Sequence, residues 1–259
     1  MDDAHHPSSD PSSAEPLGLG DALTNLRSAR KDVTRFMATY QFAIMEIETK
    51  VSILQDEFRL LHQYNPIEHI ISRLKSPESV VAKARKQGCG PSLAELRDGV
   101  RDIAGVRVVC SFTSDVYRVQ QVLCSQADIR LVELEDYISD PKPSGYRSLH
   151  AIVEIPVFLS GETVLVPVEM QFRTIAQDFW ASLEHKIFYK YDRSVPHELR
   201  VGLRDAAATA AELDREMERL SGEVQDLADT GLADDVITDQ TVSDFLSFIS
   251  AARKSPPGG

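Results

Sequence analysis

The stretch that decides the fold is SLHAIVEIPVFLSGETVLVPVEMQF, residues Ser148–Phe172. Its two halves, up to Phe158 and from Val164 onwards, are rich in β-branched and apolar residues, which favour strands. Between the halves lies the pair Gly161–Glu162, and a short connection of this kind is typical of a β-hairpin. The hairpin predicts a sheet that is at least partly antiparallel.

Helical and strand-like segments surround the hairpin. Apolar spacing and turn signals predict helices at 21–62, 67–75, 76–88, 114–125, 174–191, 196–227 and 239–252, and further strands at 103–112 and 129–137. Ser76 and Pro77 suit the N-cap and the first position of a helix. The central order is β-α-β-β-β-α, which favours an α+β class with a mixed sheet flanked by helices.

Composition limits the functions that the chain can have. The length of 259 residues suits one domain with extensions, and 42% hydrophobic residues are ample for a core. A formal net charge of −12 argues against broad binding to nucleic acid or anionic membranes. It does not exclude a small anionic ligand, because phosphate binding depends on local charge.

The ends and the cysteines indicate a cytoplasmic protein. We expect a disordered tail at 1–20, one domain at 21–229, and a short helix with a flexible tail at 230–259. The start resembles no signal peptide, and no apolar run approaches the ~18 residues of a membrane span. Three cysteines, Cys89, Cys110 and Cys124, follow no metal-ligand spacing, which favours reduced thiols.

A basic segment stands out against the acidic chain. RLKSPESVVAKARKQG (Arg73–Gly88) carries five cations, Arg73, Lys75, Lys83, Arg85 and Lys86, against Glu78. Such cations can converge on a triphosphate. The alternative is a solvated helix face, which a charge run alone often is.

Two acids occur at or near buried strands. Strand alternation puts Glu169 and Gln171 on the face opposite to four apolar residues, Val166, Val168, Met170 and Phe172. Asp102 stands at the entry of the strand at 103–112, and two such acids can hold one hard cation such as Mg²⁺. In the alternative, Asp102 caps a turn and Glu169 pairs with an arginine. Alternation also puts Arg107 opposite to Asp102, unless Gly105 forms a bulge.

The loop before the hairpin, DYISDPKPSGYRSLH (Asp136–His150), carries an exposed-looking tyrosine. Tyr146 follows Gly145, where the backbone is permissive, and an aromatic ring there can stack on a nucleobase with about 1–3 kcal/mol. Tyr146, Ser148 and His150 alternate and share a face. The alternative is a tyrosine that plugs the sheet edge.

The helix at 174–191 has an apolar repeat. Phe179, Leu183, Ile187 and Tyr191 recur every four residues and are expected to pack on the sheet. His185 is more often a structural histidine than a ligand.

Five motifs in fixed order, RLKSPES, RDIAGVRVVC, DYISDPKPSGYRSLH, VPVEMQFRT and FWASLEHK, closely resemble the synthetase domain of RelA/SpoT enzymes. The resemblance runs from about Leu26 to Leu227. It implies a nucleotidyltransferase-like synthetase fold with helical N- and C-terminal extensions. It also implies transfer of the β,γ-pyrophosphate of ATP to the 3′-hydroxyl of GDP or GTP, with Mg²⁺, to give ppGpp or pppGpp and AMP.

The resemblance also implies roles for single residues. The ATP site is implied to consist of Arg73, Lys75 and Lys83 at the phosphates and Arg107 at adenine. The catalytic and metal-binding acids are implied to be Asp102 and Glu169, with Glu169 also a candidate base. The GTP or GDP site is implied to consist of Tyr146 stacked on guanine, Lys142 and His150 near the phosphates, and Gln171 and Glu184.

Other features of the resemblance concern specificity and assembly. Asp178 stands where the family often has Asn, which bears on the choice of acceptor. Without a His-Asp dipeptide, synthesis without hydrolysis is expected. Short members of the family often form tetramers through terminal helices, and the helix after Pro196 suits that role or folds back on its own sheet. The competing functions are a non-catalytic guanine-nucleotide module and an RNA-binding regulatory module on the same fold.

Overall fold

A mixed five-stranded sheet organises the part of the chain that the computed structural model describes, which is residues 19–62, 64–189 and 195–228 with the isolated positions 243 and 246. The helices are α1 (Leu19–Leu61), α2 (Pro77–Gln87), α3 (Leu93–Gly99), α4 (Thr113–Cys124), α5 (Ile175–Tyr189) and α6 (His197–Ala228). The strands are β1 (Ile67–Leu74), β2 (Ala104–Cys110), β3 (Arg130–Asp136), β4 (Leu149–Phe158) and β5 (Thr163–Thr174). The predicted α+β class is confirmed.

The strand order is β1-β2-β5-β4-β3. Strands β2 and β5 are parallel, and the other neighbours are antiparallel. The predicted hairpin is present as β4–β5. Glu169 of β5 faces Gly105 of β2 on one side and Ile152 of β4 on the other, so it stands in the middle of the sheet.

The two faces of the sheet have different roles. The alternate β5 residues Val166, Val168, Met170 and Phe172 are buried, as the pattern predicted. Helix α1 contacts β1, β2, β4 and β5, and α4 contacts β2, β4 and β5. Buried residues of α1 such as Ile44, Ile47 and Val51 belong to the same core cluster as the β5 residues. The opposite face, with Glu169 and Gln171, is left for polar residues.

The helix predicted at 67–75 is wrong, because this segment is strand β1, paired antiparallel with β2. IEHIISRL is a short apolar run whose spacing fits either structure, and the pairing with β2 decides it. The alternative of a bulge at Gly105 is not realised, since Gly105 pairs regularly with Arg73 and Glu169. The short helix α3 was not predicted. A capping box between Ser92 and Glu95 stabilises its N-terminus.

The apolar repeat of helix α5 was predicted to be buried, but the structure buries a different side of this helix. Phe179 is 67% exposed, and Leu183 and Ile187 are exposed as well. Among the described side chains of this helix, Gln177, Trp180 and Ala181 are buried, because α6 rather than the sheet supplies most of its contacts. The fourth residue of the repeat, Tyr191, lies outside the described residues.

Helix α6 folds back on its own chain, but it packs mainly on α5 and not on the sheet, as the second alternative had it. Its Ala207 and Ala211 are buried, and the Thr174 hydroxyl at the end of β5 donates to Asp214 Oδ2 at 2.7 Å. None of the helices in the described ranges combines the length and the hydropathy that crossing a bilayer requires.

The predicted domain limits stay predictions. The tail at 1–20 lies outside the described residues, apart from the first two positions of α1. The segments predicted at 230–259, including the helix at 239–252, also lie outside them, apart from the helical positions Ser243 and Leu246.

Candidate functional site

Asp102 and Glu169 lie on either side of one guanidinium. Asp102 is in the turn before β2, and Glu169 is in β5. Arg73 Nη2 is 3.2 Å from Glu169 Oε2 and 4.0 Å from Asp102 Oδ2. The side chain of Arg73 lies across Gly105, where an added Cβ would come within 3.1 Å of Arg73 Nε. Gly105 therefore allows the close approach that brings both acids to the same cation.

Two lysines complete the surroundings of Asp102. Lys75 Nζ, just after β1, and Lys83 Nζ, in α2, lie 3.0 and 2.7 Å from Asp102 Oδ2. Burial acts to raise the pKa of Asp102, but hydrogen bonds from Lys83 and Lys75 outweigh it and hold that pKa below its usual value. Asp102 is therefore ionised at neutral pH.

Helix α2 begins where the sequence predicts. Ser76 is the N-cap, with its hydroxyl accepting from the Ser79 amide, and Pro77 is the first helical residue. The helix ends at Gly88, whose φ of 72° is left-handed. The connection between β1 and α2 consists of only Lys75 and Ser76, and it places Lys83 of α2 close to Asp102.

One oxygen of Asp102 has no partner. Asp102 Oδ1 is buried and accepts no hydrogen bond, although Oδ2 accepts from Lys75 and Lys83. A buried carboxylate oxygen without a hydrogen bond costs free energy unless a ligand contacts it. Hard cations prefer carboxylate oxygens as ligands. Among the described residues, no group of three or more His, Cys, Asp or Glu side chains forms a metal site. A metal here would thus take only two protein carboxylates and would need oxygen ligands from another molecule.

An open cavity of about 330 Å³ adjoins the two acids. Its lining includes Asp102, Glu169, Lys83, His150, Arg101 and Glu133. Arg101 Nη1 and Glu133 Oε2 form an ion pair at 3.0 Å on its rim. The prediction did not include Arg101 and Glu133, since nothing in the sequence signals that β3 lies across from the turn before β2.

An aromatic cluster lies next to the acids. Tyr146 Oη and His150 Nε2 are 2.7 Å apart, and the Tyr137 ring meets both of their rings edge-on. Lys142 Nζ lies 4.0 Å from the centre of the Tyr137 ring and 5.4 Å from that of Tyr146. The predicted grouping of Lys142, Tyr146 and His150 is therefore present as geometry.

His150 is a neutral side chain. Burial and the nearby charges of Arg173, Lys142, Arg107 and Arg73 lower its pKa to about 4. His150 Nδ1 is 4.0 Å from Glu169 Oε1, but the neutral imidazole forms no ion pair with it. Glu169 Oε2 instead accepts a hydrogen bond from Gln171 Nε2 at 3.1 Å.

Arg173 is a central residue that the prediction missed. It is 4% exposed, and its guanidinium donates to Tyr146 Oη at 2.5 Å, Gln171 Oε1 at 3.0 Å and Asp178 Oδ1 at 3.2 Å. The signal was available, because alternation puts residue 173 on the same face as Glu169 and Gln171. Arg173 joins β5, α5 and the loop before β4.

Arg107 lies on the same face as Glu169. Its Nη1 is 2.9 Å from Asp178 Oδ1, and its Nε donates to Gln171 Oε1 at 3.4 Å. The conflict that alternation predicted between Arg107 and Asp102 is therefore absent. It disappears without a bulge, because β2 begins only at Ala104 and alternation does not extend back to residue 102.

Glu184 is set apart from this network. It lies six residues after Asp178 in α5 and is half-buried. Burial raises its pKa, with smaller opposing effects from His185 and Arg173. Within the described ranges it makes no hydrogen bond or ion pair with the other predicted site residues. The structure therefore places it near the site without a contact.

Comparisons with known proteins show which family this chain resembles. The family model described as "Region found in RelA / SpoT proteins" matches residues 72–194. The chain is 46% identical to GTP pyrophosphokinase YwaC of Bacillus subtilis over 202 residues, which cover 78% of this chain and 96% of that protein.

Solved structures show the same likeness. The small alarmone synthetase 2 of Bacillus subtilis matches with a TM-score of 0.68 and 46% identity, over 74% of this chain and 99% of that one. The small alarmone synthetase 1 of that organism, bound to its product pppGpp, matches with a TM-score of 0.69 and 35% identity, over 75% and 99%.

Proposed function

Since the chain belongs to the RelA/SpoT family, we propose that it is a GTP pyrophosphokinase. It transfers the β,γ-diphosphate of ATP to the 3′-hydroxyl of GDP or GTP, which gives AMP and ppGpp or pppGpp. The observation that carries the proposal is the convergence of Arg73, Lys75 and Lys83 on Asp102 and Glu169, beside the Tyr146 cluster.

The donor site is formed by cations from three elements. Arg73, Lys75 and Lys83 bind the phosphates of ATP, and their charges offset the negative charge that diphosphate transfer concentrates there. Arg107 contacts adenine. Its guanidinium is already held by Asp178 and Gln171, so it loses little rotational freedom when ATP binds.

Magnesium is the metal that the site fits. Asp102, through its unpaired Oδ1, and Glu169 would hold it, with phosphate oxygens and water as the other ligands. Bound there, the ion would neutralise charge on the transferred phosphates.

The acceptor site is formed by the aromatic cluster and its neighbours. Tyr146 stacks on guanine, Lys142 and His150 lie near the acceptor phosphates, and Gln171 and Glu184 belong to the same pocket. Glu169 takes the proton of the 3′-hydroxyl as that oxygen bonds to the β-phosphorus. The bond between the β-phosphorus and the α,β-bridging oxygen breaks, and AMP leaves.

The proposal is tested by incubation with ATP, Mg²⁺ and GMP, GDP or GTP in parallel, with chromatographic detection of AMP and the guanosine product. Glu169→Gln keeps the shape of the side chain and removes its charge, so it should lower turnover by about 10²–10⁴-fold. Glu162→Gln, an exposed acid paired with Arg35, is the matched control.

Absence of product with every acceptor and metal would overturn the proposal. Guanine-nucleotide binding without turnover would favour the non-catalytic alternative. The same assay with pppGpp as the only substrate tests the expectation that the chain does not hydrolyse it.

Assembly and location are further parts of the proposal. Exposed Phe42, Met45, Ile53 and Leu60 occur at spacings that place them along one side of α1. An apolar stripe of this length supports a homo-oligomer, with a tetramer favoured. The three cysteines are free thiols, which supports the cytoplasm as its location.

A further inference from the structure

An open apolar groove runs between α5 and α6. It has a volume of about 770 Å³, and its large side chains are Phe179, Leu183, Ile187, Leu203, Leu213 and Met217. Phe179 is 67% exposed and Leu213 is 54% exposed. Contiguous exposed apolar surface of this kind marks a binding surface. The groove lies away from the cavity beside Asp102 and Glu169, and the proposed reaction does not use it.

The shape of the groove restricts what it can bind. A concave channel between two helices accepts the convex side of a third helix, with apolar anchors at i, i+3, i+4 and i+7. A second α5–α6 pair would present the same concave channel and would fit it poorly. A single amphipathic helix therefore fits the groove best.

The chain itself contains such a segment after α6. In residues 238–252, Val242, Phe245, Leu246 and Ile249 occupy positions i, i+3, i+4 and i+7. The backbone at Ser243 and Leu246 is helical, and Leu246 is 59% exposed. A stripe of apolar residues at helical spacing in the sequence and an exposed apolar groove are thus present in one chain.

The lengths of the segments agree. Helix α6 ends at Ala228, and Met217, at the near end of the groove, lies about 16 Å back along the helix axis. The nine residues 229–237 can span up to about 30 Å, which is enough to return to Met217. The fifteen residues 238–252 as a helix measure about 22 Å, and the groove from Met217 to Leu203 measures about 21 Å.

We propose that residues 238–252 dock as a helix in the α5–α6 groove of the same chain, antiparallel to α6, with Val242, Phe245, Leu246 and Ile249 facing it. A short tether gives the segment an effective local concentration in the millimolar range, which a second copy does not reach at ordinary protein concentrations. Docking covers Phe179 and Leu213, which are otherwise open to water.

The test uses the full chain with a thiol in the groove. Leu213→Cys puts a reactive group at an exposed position of the groove, and the rate of its modification by a maleimide reports how open the groove is. Protein without this change gives the background from Cys89 and Cys124, which are half-buried, while Cys110 is buried. Leu246→Asp is then added on the apolar stripe, and Ser247→Asp beside the stripe serves as the matched control.

Docking predicts that Leu246→Asp raises the modification rate about tenfold or more, because a segment that is mostly docked protects the thiol most of the time. Ser247→Asp should leave the rate unchanged, and protection should not depend on protein concentration. A synthetic peptide of residues 236–252 should restore protection to the Leu246→Asp variant, and the same peptide with the aspartate should not.

Two results would overturn the proposal. Fast modification in every variant at every concentration would show an empty groove. Protection that grows with protein concentration and does not respond to Leu246→Asp would identify a second copy of the chain as the occupant. Circular dichroism on each variant confirms that the fold is kept, and neither Leu246 nor Ser247 belongs to the described core clusters.

Discussion

Arg173 connects three segments of the proposed acceptor site by hydrogen bonds. One buried guanidinium donates to Tyr146, Gln171 and Asp178, which belong to the loop before β4, to β5 and to α5. Charge-assisted hydrogen bonds of this kind are stronger than neutral ones and fix the orientation of both partners. Asp178 Oδ1 accepts hydrogen bonds from both Arg173 and Arg107. The main role of this carboxylate is therefore to hold the two arginines in place. The side chains that we propose to meet the acceptor are therefore held in place by hydrogen bonds within the protein.

Tyr146→Ala and Tyr146→Phe separate the ring of Tyr146 from its hydroxyl. Loss of the ring removes stacking of about 1–3 kcal/mol, so Tyr146→Ala should raise the KM for GDP or GTP by about 5- to 150-fold. Tyr146→Phe loses only hydrogen bonds to Arg173 and His150, so its KM should rise by about tenfold or less. Steady-state kinetics measure both effects, and the KM for ATP is the internal control. Unchanged acceptor kinetics in Tyr146→Ala would return this residue to a structural role.

His150 should make stability depend on pH. Its pKa is lowered in the folded state to about 4, so between about pH 6.5 and pH 4 the unfolded chain binds more protons than the folded one. Stability from this group is complete above about pH 6.5 and is lost as the pH falls towards 4, by about 2 kcal/mol at pH 5. His150→Gln lacks this dependence. Urea unfolding of both proteins at pH 7 and pH 5 measures it, and parallel losses in the two proteins would contradict the prediction.

Much of the site could be predicted, for reasons that belong to single residues. Asp102, Glu169 and the three cations occur in motifs with strong local signals, and Glu169 alternates with buried neighbours. Arg173 was missed although the same alternation includes it, because an arginine beside a strand end is ordinarily exposed. Glu133 and Arg101 could not be found, since their proximity depends on β3 lying across from the turn before β2. Pairing between distant segments is information that spacing along the chain does not contain.

The loop before β4, which carries Gly145 and Tyr146, makes a close contact with α6. Gly145 has a φ of 93°, and a Cβ there would come within 2.5 Å of Ala207 Cβ. Tyr146 packs with Leu203 and Ala210 against the cluster of Trp180, Ala181 and Ala207. The loop thus rests directly on α6, so the position of that helix helps to set the position of the Tyr146 ring.

Gly145→Ala should disturb this contact. Left-handed backbone and the collision with Ala207 together should cost about 1–3 kcal/mol of stability and raise the acceptor KM more than the ATP KM. Ala207→Gly in the same protein removes the collision but not the backbone strain, so it should restore part of the acceptor KM. Gly161→Ala is the control, since nothing lies within 4 Å of its added Cβ. Unfolding curves and kinetics measure both effects, and equal losses in Gly145→Ala and Gly161→Ala would contradict the prediction.

Strand β1 shows what local pattern cannot decide. IEHIISRL was predicted as a helix, but in the fold its burial alternates from His69 to Leu74, as in a strand. Antiparallel pairing with β2 selects the strand. In contrast, the β4–β5 hairpin is clear from the sequence because both halves and their turn are local. Similarly, α5 has an apolar repeat whose burial depends on α6, and the repeat alone does not show which side is covered.

Assembly of the whole molecule is expected to depend on α1. Its stripe of Phe42, Met45, Ile53 and Leu60 faces solvent in the single chain. Met45→Glu with Ile53→Glu puts two charges on this stripe, and burying an unpaired charge in an interface is costly, so the assembly should dissociate to smaller species. Ser160→Glu, at an exposed position off α1, is the control. Analytical ultracentrifugation measures the mass, and a variant that sediments as the parent does would exclude this stripe from the interface.

The parallel pairing of β2 with β5 has a consequence for synthesis on the ribosome. Cys110 ends β2, and Met170, in the part of β5 that pairs with it, is made 60 residues later. At about 5–20 residues per second, one edge of β2 waits about 3–12 s for its neighbour β5. Until then Val106 and Val108 lack the strand that will flank them. The nascent chain exposes an unpaired strand edge, which can pair with another chain. We expect no partial enzyme in this interval, because Glu169 arrives with the same strand that closes the sheet.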